Sequence, residues 1–187
     1  ILDKIGKIKR SINSKNLPNV YLLSGEFNDN EINELYNHSK VKAMVTITKG
    51  EGFGRPLLEF STTGKPIIAS GWSGHLDFLN PSFTTLLPGT LENVHPSSAN
   101  AWLIPESKWF QVSSKHLRKS LKDVFKKYKE YSIKGKQQKQ YVKTNFSWDK
   151  MSSLIISILD DKNKVPEMAQ EVKLELPTFS LPKLKKV

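Results

Sequence analysis

Residues 43–70 read AMVTITKGEGFGRPLLEFSTTGKPIIAS, and this run decides the fold class. Ala43 to Thr48 is an apolar run of strand length, read as buried, and Lys49 to Gly54 is a glycine-rich loop. Pro56 suits the first turn of a helix, because its missing N–H has no intrahelical partner there. Leu57, Leu58 and Phe60 carry that helix, Gly64 stops it, and Lys65 to Ser70 forms another buried strand. Strands alternating with single short helices imply parallel pairing through right-handed crossovers. The expected class is therefore α/β, with a Rossmann-like, doubly wound parallel sheet.

Working upstream, the segment from Leu2 to about Ser14 reads as a helix with Ile1, Ile5 and Ile8 on one face. A turn at Asn16–Asn19 precedes a short buried strand over Val20–Gly25. Asn28 or Asp29 caps a second helix carrying Ile32, Leu35 and Tyr36, which ends near His38 and Ser39. Downstream, the loop Gly71-Trp72-Ser73-Gly74 follows the strand ending at Ser70, and another strand fits Phe83–Leu87. Pro88 to Val112 reads as irregular. From Ser113 the chain turns helical through Leu117, Leu121, Val124, Phe125, Tyr128 and Tyr131. A last helix spans about Ser147 to Asp161, with Met151, Leu154, Ile155 and Leu159 on one face. Trp72 reads as a rim or packing residue, and Trp102, Trp109 and Trp148 as core.

The organisation that follows is one nucleotide-binding domain over residues 1–161 and an extended or disordered tail over 162–187, broken by Pro166, Pro177 and Pro182. Within the tail, Val172-Lys173-Leu174-Glu175-Leu176 alternates as an added edge strand would, so it reads either as a disordered end or as a docking tail that orders on a partner. The chain starts mid-helix and without methionine, so it reads as a fragment of something longer.

Bulk properties bound the function. The 187 residues suffice for one domain with a real core, but not for two Rossmann-like domains of ordinary size. With no cysteine, disulfides and thiolate metal sites are excluded, which fits a reducing cytoplasm. Mean hydropathy is -0.44, and no stretch approaches the roughly 18 apolar residues of a membrane span. The net charge is +11. Much of the excess lies between Lys108 and Lys143, where twelve Lys or Arg face only Asp123 and Glu130. That run is either a solvated helix face or a surface for an anionic partner such as membrane lipid, nucleic acid or a charged glycan.

The chemistry sits in the loops. In open parallel sheets, ligands bind beyond the carboxyl ends of the strands, where both Gly50–Gly54 and Gly71–Gly74 fall. Glycines admit a ligand close to the backbone. The helix opening at Arg55-Pro56 offers unpaired N–H groups suited to a phosphate or diphosphate. Glu51 and Glu59 flank this start with seven residues between them. Each ionised carboxylate can accept from two vicinal hydroxyls, so the spacing supplies an anion cradle between two diol acceptors.

These residues, Glu-Gly-Phe-Gly-x-Pro-Leu-Leu-Glu followed by Gly-Lys-Pro-Ile-Ile-Ala-Ser and Ser-Gly-His, resemble the donor-site signature of retaining glycosyltransferases of the group 1 family. Their architecture, GT-B, sets two Rossmann-like domains across a cleft. The likeness is specific from about Val20 to Leu79. It runs more loosely to Asn145-Phe146-Ser147-Trp148, which is similar to the start of the family's last helix, packed back across both domains. The resemblance implies that this chain is the C-terminal, donor-binding half. Glu51 would contact the donor hexose and help stabilise a cationic anomeric centre. Glu59 would bind the ribose diol. Main-chain amides of Gly52, Phe53 and Gly54 would line the sugar and phosphates, with Gly74 and His75 bordering the donor. It further implies a nucleotide-diphosphate sugar as substrate, a hydroxyl acceptor on a glycan, lipid or protein, no metal and no cofactor, and an N-terminal domain elsewhere; the cytoplasmic setting comes from the lack of cysteine, and the basic run allows a peripheral place at a membrane.

Arg55 departs from the family pattern, which has an aliphatic residue there; it either contacts the diphosphate or pairs with a nearby acid. Lys49 is a similarly open cation. The family's Arg and Lys against the diphosphate have no counterpart in this chain. Rival readings are a non-catalytic scaffold that keeps the nucleotide-sugar fold, a basic nucleic-acid-binding protein, and a fold-level relative such as a nucleotide-sugar epimerase.

Overall fold

A computed structural model describes residues 1–12, 16–98, 100, 103–104 and 106–160. The central sheet is parallel, in the order β1 (Met44–Thr46), β2 (Ile67–Ser70), β3 (Thr85–Leu87). Val45 stands beside Ile68, and Ala69 beside Leu86. β2 is buried on both faces, as a central parallel strand must be when helices cover both sides. The successive residues of β2 point to opposite layers. Ile67 and Ala69 join Leu57, Phe60, Phe78, Leu79 and Val142 in one core cluster, while Ile68 joins Leu87, Phe110, Val112 and Val124 in the other.

The first layer is built by α3 (Arg55–Ser61) and α5 (Tyr128–Asn145). Gly135 is what allows α5 to come so close, because a Cβ there would lie 2.6 Å from the Gly64 carbonyl oxygen. Fully buried Gln138 then ties α5 to the sheet's end: its amide donates to the Phe78 carbonyl at 2.7 Å, and its oxygen accepts from the Asn80 N–H at 3.1 Å. α2 (Asp29–Asn37) completes this side, opened by a reciprocal capping box between Asn28 and Glu31. Tyr36 stands edge-on to Phe60 at 5.4 Å between centroids. The second layer is α4 (Ser114–Lys126), which packs through Val124 and Leu117.

Several expectations are corrected. Val20–Gly25 forms no strand: Val20, Tyr21, Leu22 and Leu23 are all exposed and pair with nothing in the sheet. An apolar run makes a strand only where another strand supplies its hydrogen bonds. The strand expected over Ala43–Thr48 is shorter and is an edge, with Val45 and Ile47 about half exposed. Pro88–Val112 is not wholly irregular. It holds an antiparallel pair, β4 (Gly89–Asn93) and β5 (Lys108–Val112), whose alternation is masked by polar residues on the open face. The first helix, α1 (Leu2–Ser11), stops where Ile12 turns extended.

The last helix, α6 (Trp148–Asp160), forms as expected, but its apolar face buries nothing. Met151, Leu154, Ile155 and Leu159 are all exposed, and so is Trp148, which is not core. Trp109 is half-buried. Trp102 and the tail, including Val172–Leu176, lie outside the described residues. Among the described residues, no helix is long and apolar enough to cross a membrane.

Candidate functional site: two loops at the carboxyl ends of the sheet

The loop after β1 and the loop after β2 are joined to each other. The Ser73 hydroxyl accepts from the Glu51 N–H at 2.8 Å and donates to the Glu51 carbonyl at 2.5 Å. The Gly74 N–H donates to the same carbonyl at 3.0 Å. The two backbones touch so closely that a Cβ on Gly74 would collide with the Gly52 carbonyl. Glycine is required there by space rather than by φ. Gly54 is the opposite case: it caps α3 in the left-handed region, at φ 87°.

Ser73 stands in the Ser-Gly-His motif, but motif reading gives it no role. Its φ of 91° is one that L side chains rarely adopt. A non-glycine residue held in such a conformation costs on the order of 1–3 kcal/mol, and such strain gathers at functional sites. The two hydrogen bonds to Glu51 are what the hydroxyl provides in return. Its sequence signal is its place in Ser-Gly-His, a hydroxyl residue in a loop otherwise suited to glycine.

The expected residues divide by position. The Glu51 side chain is half-buried at the junction. Gly52 and Phe53 are exposed on the loop's outer surface, and the Phe53 ring leans on Phe78 at 5.0 Å. Glu59 lies one turn into α3, where it accepts from Arg55 Nε at 2.9 Å. So Arg55 pairs with the acid, although the pair is open to solvent, with 80% and 42% of the two side chains exposed. Exposed ion pairs of this kind contribute little stability, which leaves both groups available to a ligand. Arg55 and Glu59 share a cavity of about 320 Å³ with Asp29, Ile32 and Tyr36. Burial and the nearby Glu59 carboxylate raise the Tyr36 phenol above its ordinary pKa, so it stays a neutral donor.

His75 lies beneath the loops rather than facing out. It is fully buried, with Nε2 2.6 Å from the Ser70 carbonyl and Nδ1 without a protein partner. A carbonyl only accepts, so Nε2 is the donor of that bond. Lys49 is held away from the junction, its ammonium 4.7 Å from the Trp109 ring and bonded to the Gln111 side-chain oxygen. Trp72 is a rim residue stacked on Phe110, with centroids 5.9 Å apart. Among the described residues, no three His, Cys, Asp or Glu side chains form a metal-ligand set.

Residues 5–138 match the family described as glycosyl transferases, group 1. The match spans more than half the chain and contains both loops, α3 and the whole central sheet. The chain belongs to that family. No curated protein matches it in sequence. As a group 1 glycosyl transferase domain it is built for glycosyl transfer, and the joined loops sit where such a sheet presents its ligand.

Proposed function

We propose that the chain is the donor-binding half of a retaining, metal-independent GT-B hexosyltransferase. Its donor is a nucleotide-diphosphate sugar and its acceptor a hydroxyl group. The carrying observation is the junction of the two loops at the carboxyl ends of β1 and β2. Ser73 and Gly74 fix the Glu51 backbone there, four residues before Arg55 of the open Arg55–Glu59 pair.

In this reading the cavity by Glu59 takes the nucleoside, and the Glu59 carboxylate accepts from the ribose diol. The diol displaces the Arg55 guanidinium, which is then free to meet the diphosphate. The amides of Gly52, Phe53 and Gly54 line the phosphates and sugar. Glu51 accepts from hexose hydroxyls and faces the anomeric carbon as it becomes cationic, while charge on the leaving diphosphate is met by amides and Arg55. Glu51 acts through its charge and forms no bond to the sugar, so attack comes from the face that the diphosphate leaves. His75 acts from below, holding the second loop against Ser70, and Gly74 borders the donor by its main chain. A separate N-terminal domain supplies the acceptor site, and α6, with its apolar face open, packs back upon it. The setting is the cytoplasm, and the nucleotide sugar is a substrate rather than a cofactor.

Calorimetric titration of the chain with UDP, GDP and ADP, beside a Glu59→Ala variant, tests this. Saturable binding of one nucleotide, weakened about tenfold or more by the substitution, is the expected result. That factor corresponds to roughly 1.4 kcal/mol, at the lower edge of what a hydrogen bond to a charged group contributes. Failure of all three at millimolar concentration in the complete parent enzyme, with its N-terminal domain present, would leave only the scaffold reading.

A further inference from the structure

One surface lies outside the donor site. Along α4, Lys115, Lys119, Lys122 and Lys126 recur at i, i+4, i+7 and i+11, with Arg118 beside them. These spacings place the cations in one stripe. All five are exposed. They line one shallow depression in which Asp123 is the only acid.

The neighbouring row on the same helix is apolar, and it is not turned into the core. Leu121 and Phe125 stand at i and i+4, exposed by 43% and 85%. The buried row, Leu117 and Val124, lies beyond them and anchors the helix to the sheet. Across the helix, α4 therefore presents cations, then open apolar side chains, then core. Leu121 and Phe125 also form one wall of an apolar cavity of about 360 Å³, floored by Ile68 and Val124. Lys42 stands at that cavity, its ammonium 5.9 Å from the Tyr128 ring.

We infer that α4 is an interfacial helix that lays this side of the domain on an anionic bilayer. Lys115, Arg118, Lys119, Lys122 and Lys126 meet lipid phosphates, and Phe125 and Leu121 enter the boundary between headgroups and acyl chains. A basic face joined to a Phe- and Leu-bearing flank is the composition of helices that lie in the membrane interface. The stripe complements the negative surface of a leaflet rich in acidic lipid. A nucleic acid would use the cations equally but has no use for the aliphatic Leu121 or an apolar cavity.

Flotation with vesicles of phosphatidylcholine alone, and with about a third phosphatidylserine, is the test. The chain should float with the anionic vesicles only. The triple variant Lys119→Glu, Lys122→Glu, Lys126→Glu should bind roughly a hundredfold more weakly, at about fivefold per lost cation. Phe125→Ser should lose roughly tenfold, the effect of leaving one large apolar side chain unburied. All four positions are exposed, and thermal melting checks that the variants fold; the corresponding Lys→Gln triple replaces the reversal if it does not. Absence of flotation with anionic vesicles overturns the proposal. So does flotation indifferent to Phe125→Ser, and so does salt-sensitive retention on duplex DNA or RNA without vesicle binding.

Discussion

β2 and α6 are both apolar segments, yet every residue of β2 is buried and none of α6 is. Ile67 and Ile68 are covered from two sides by α3, α5 and α4; Gly64 and Gly135 let α3 and α5 come close, and Val124 and Leu117 seat α4 on the other face. Among the described residues no neighbour packs over the apolar face of α6, and Ile155 and Leu159 stay open. Apolar periodicity says that a face needs covering. The fitting of neighbours, residue by residue, says what covers it.

Substitutions can break this contrast. Phe60→Ala removes a side chain 1% exposed from the centre of the α3 layer. It should cost about 3–5 kcal/mol, the range for large aromatic truncation, in denaturant melts. Gly135→Ala drives a methyl group toward the Gly64 carbonyl. The atoms it meets belong to the backbone of Gly64 and Lys65, held by packed elements, so a loss of about 1–3 kcal/mol is expected. Ser73→Ala removes both hydrogen bonds to Glu51 while keeping an L side chain at φ 91°. It should lower stability by about 1–2 kcal/mol, and Ser73→Gly should lose less because the backbone strain is relieved. Ile155→Ser on α6 should change the melting of the isolated chain by less than about 0.5 kcal/mol, as an uncovered surface site does. A large loss there would mean that α6 is covered after all, and the contrast would fail.

The readable part of the molecule was the part governed by local rules. Gly64 and Pro56 mark the ends of α3, Asn28 caps α2, and the apolar blocks at Ile67–Ser70 and Leu86–Leu87 become strands β2 and β3. What local pattern did not carry was pairing. Val20–Leu23 has the composition of a strand, but no neighbouring strand receives it, whereas β4 and β5 pair despite the polar Glu92 and Asn93.

In the site, the family signature marked Glu51, Gly52, Gly54, Glu59 and Gly74, and the structure brings the two loops into contact. The signature includes Ser73 in its Ser-Gly-His run but gives it no role; its importance lies in a positive φ and two contacts to a residue 22 positions away. Nor did it tell a histidine at the rim from one beneath it. His75 follows Gly74 in the loop, but its ring turns inward to the Ser70 carbonyl. The sequence leaves Arg55 between two partners, and helical spacing pairs it with Glu59 in the structure.

The central claim is a division of labour between Glu51 and Glu59, and calorimetry of two variants against two ligands tests it most directly. The ligands are the nucleoside diphosphate that the chain prefers and the sugar conjugate of the same nucleotide, titrated into Glu51→Gln and Glu59→Ala. The account predicts that Glu59→Ala weakens both ligands alike, because both carry the ribose. Glu51→Gln should weaken only the conjugate and leave the bare diphosphate at the affinity of the unsubstituted chain. Equal weakening of both ligands by Glu51→Gln, or no effect of Glu59→Ala on either, would contradict it.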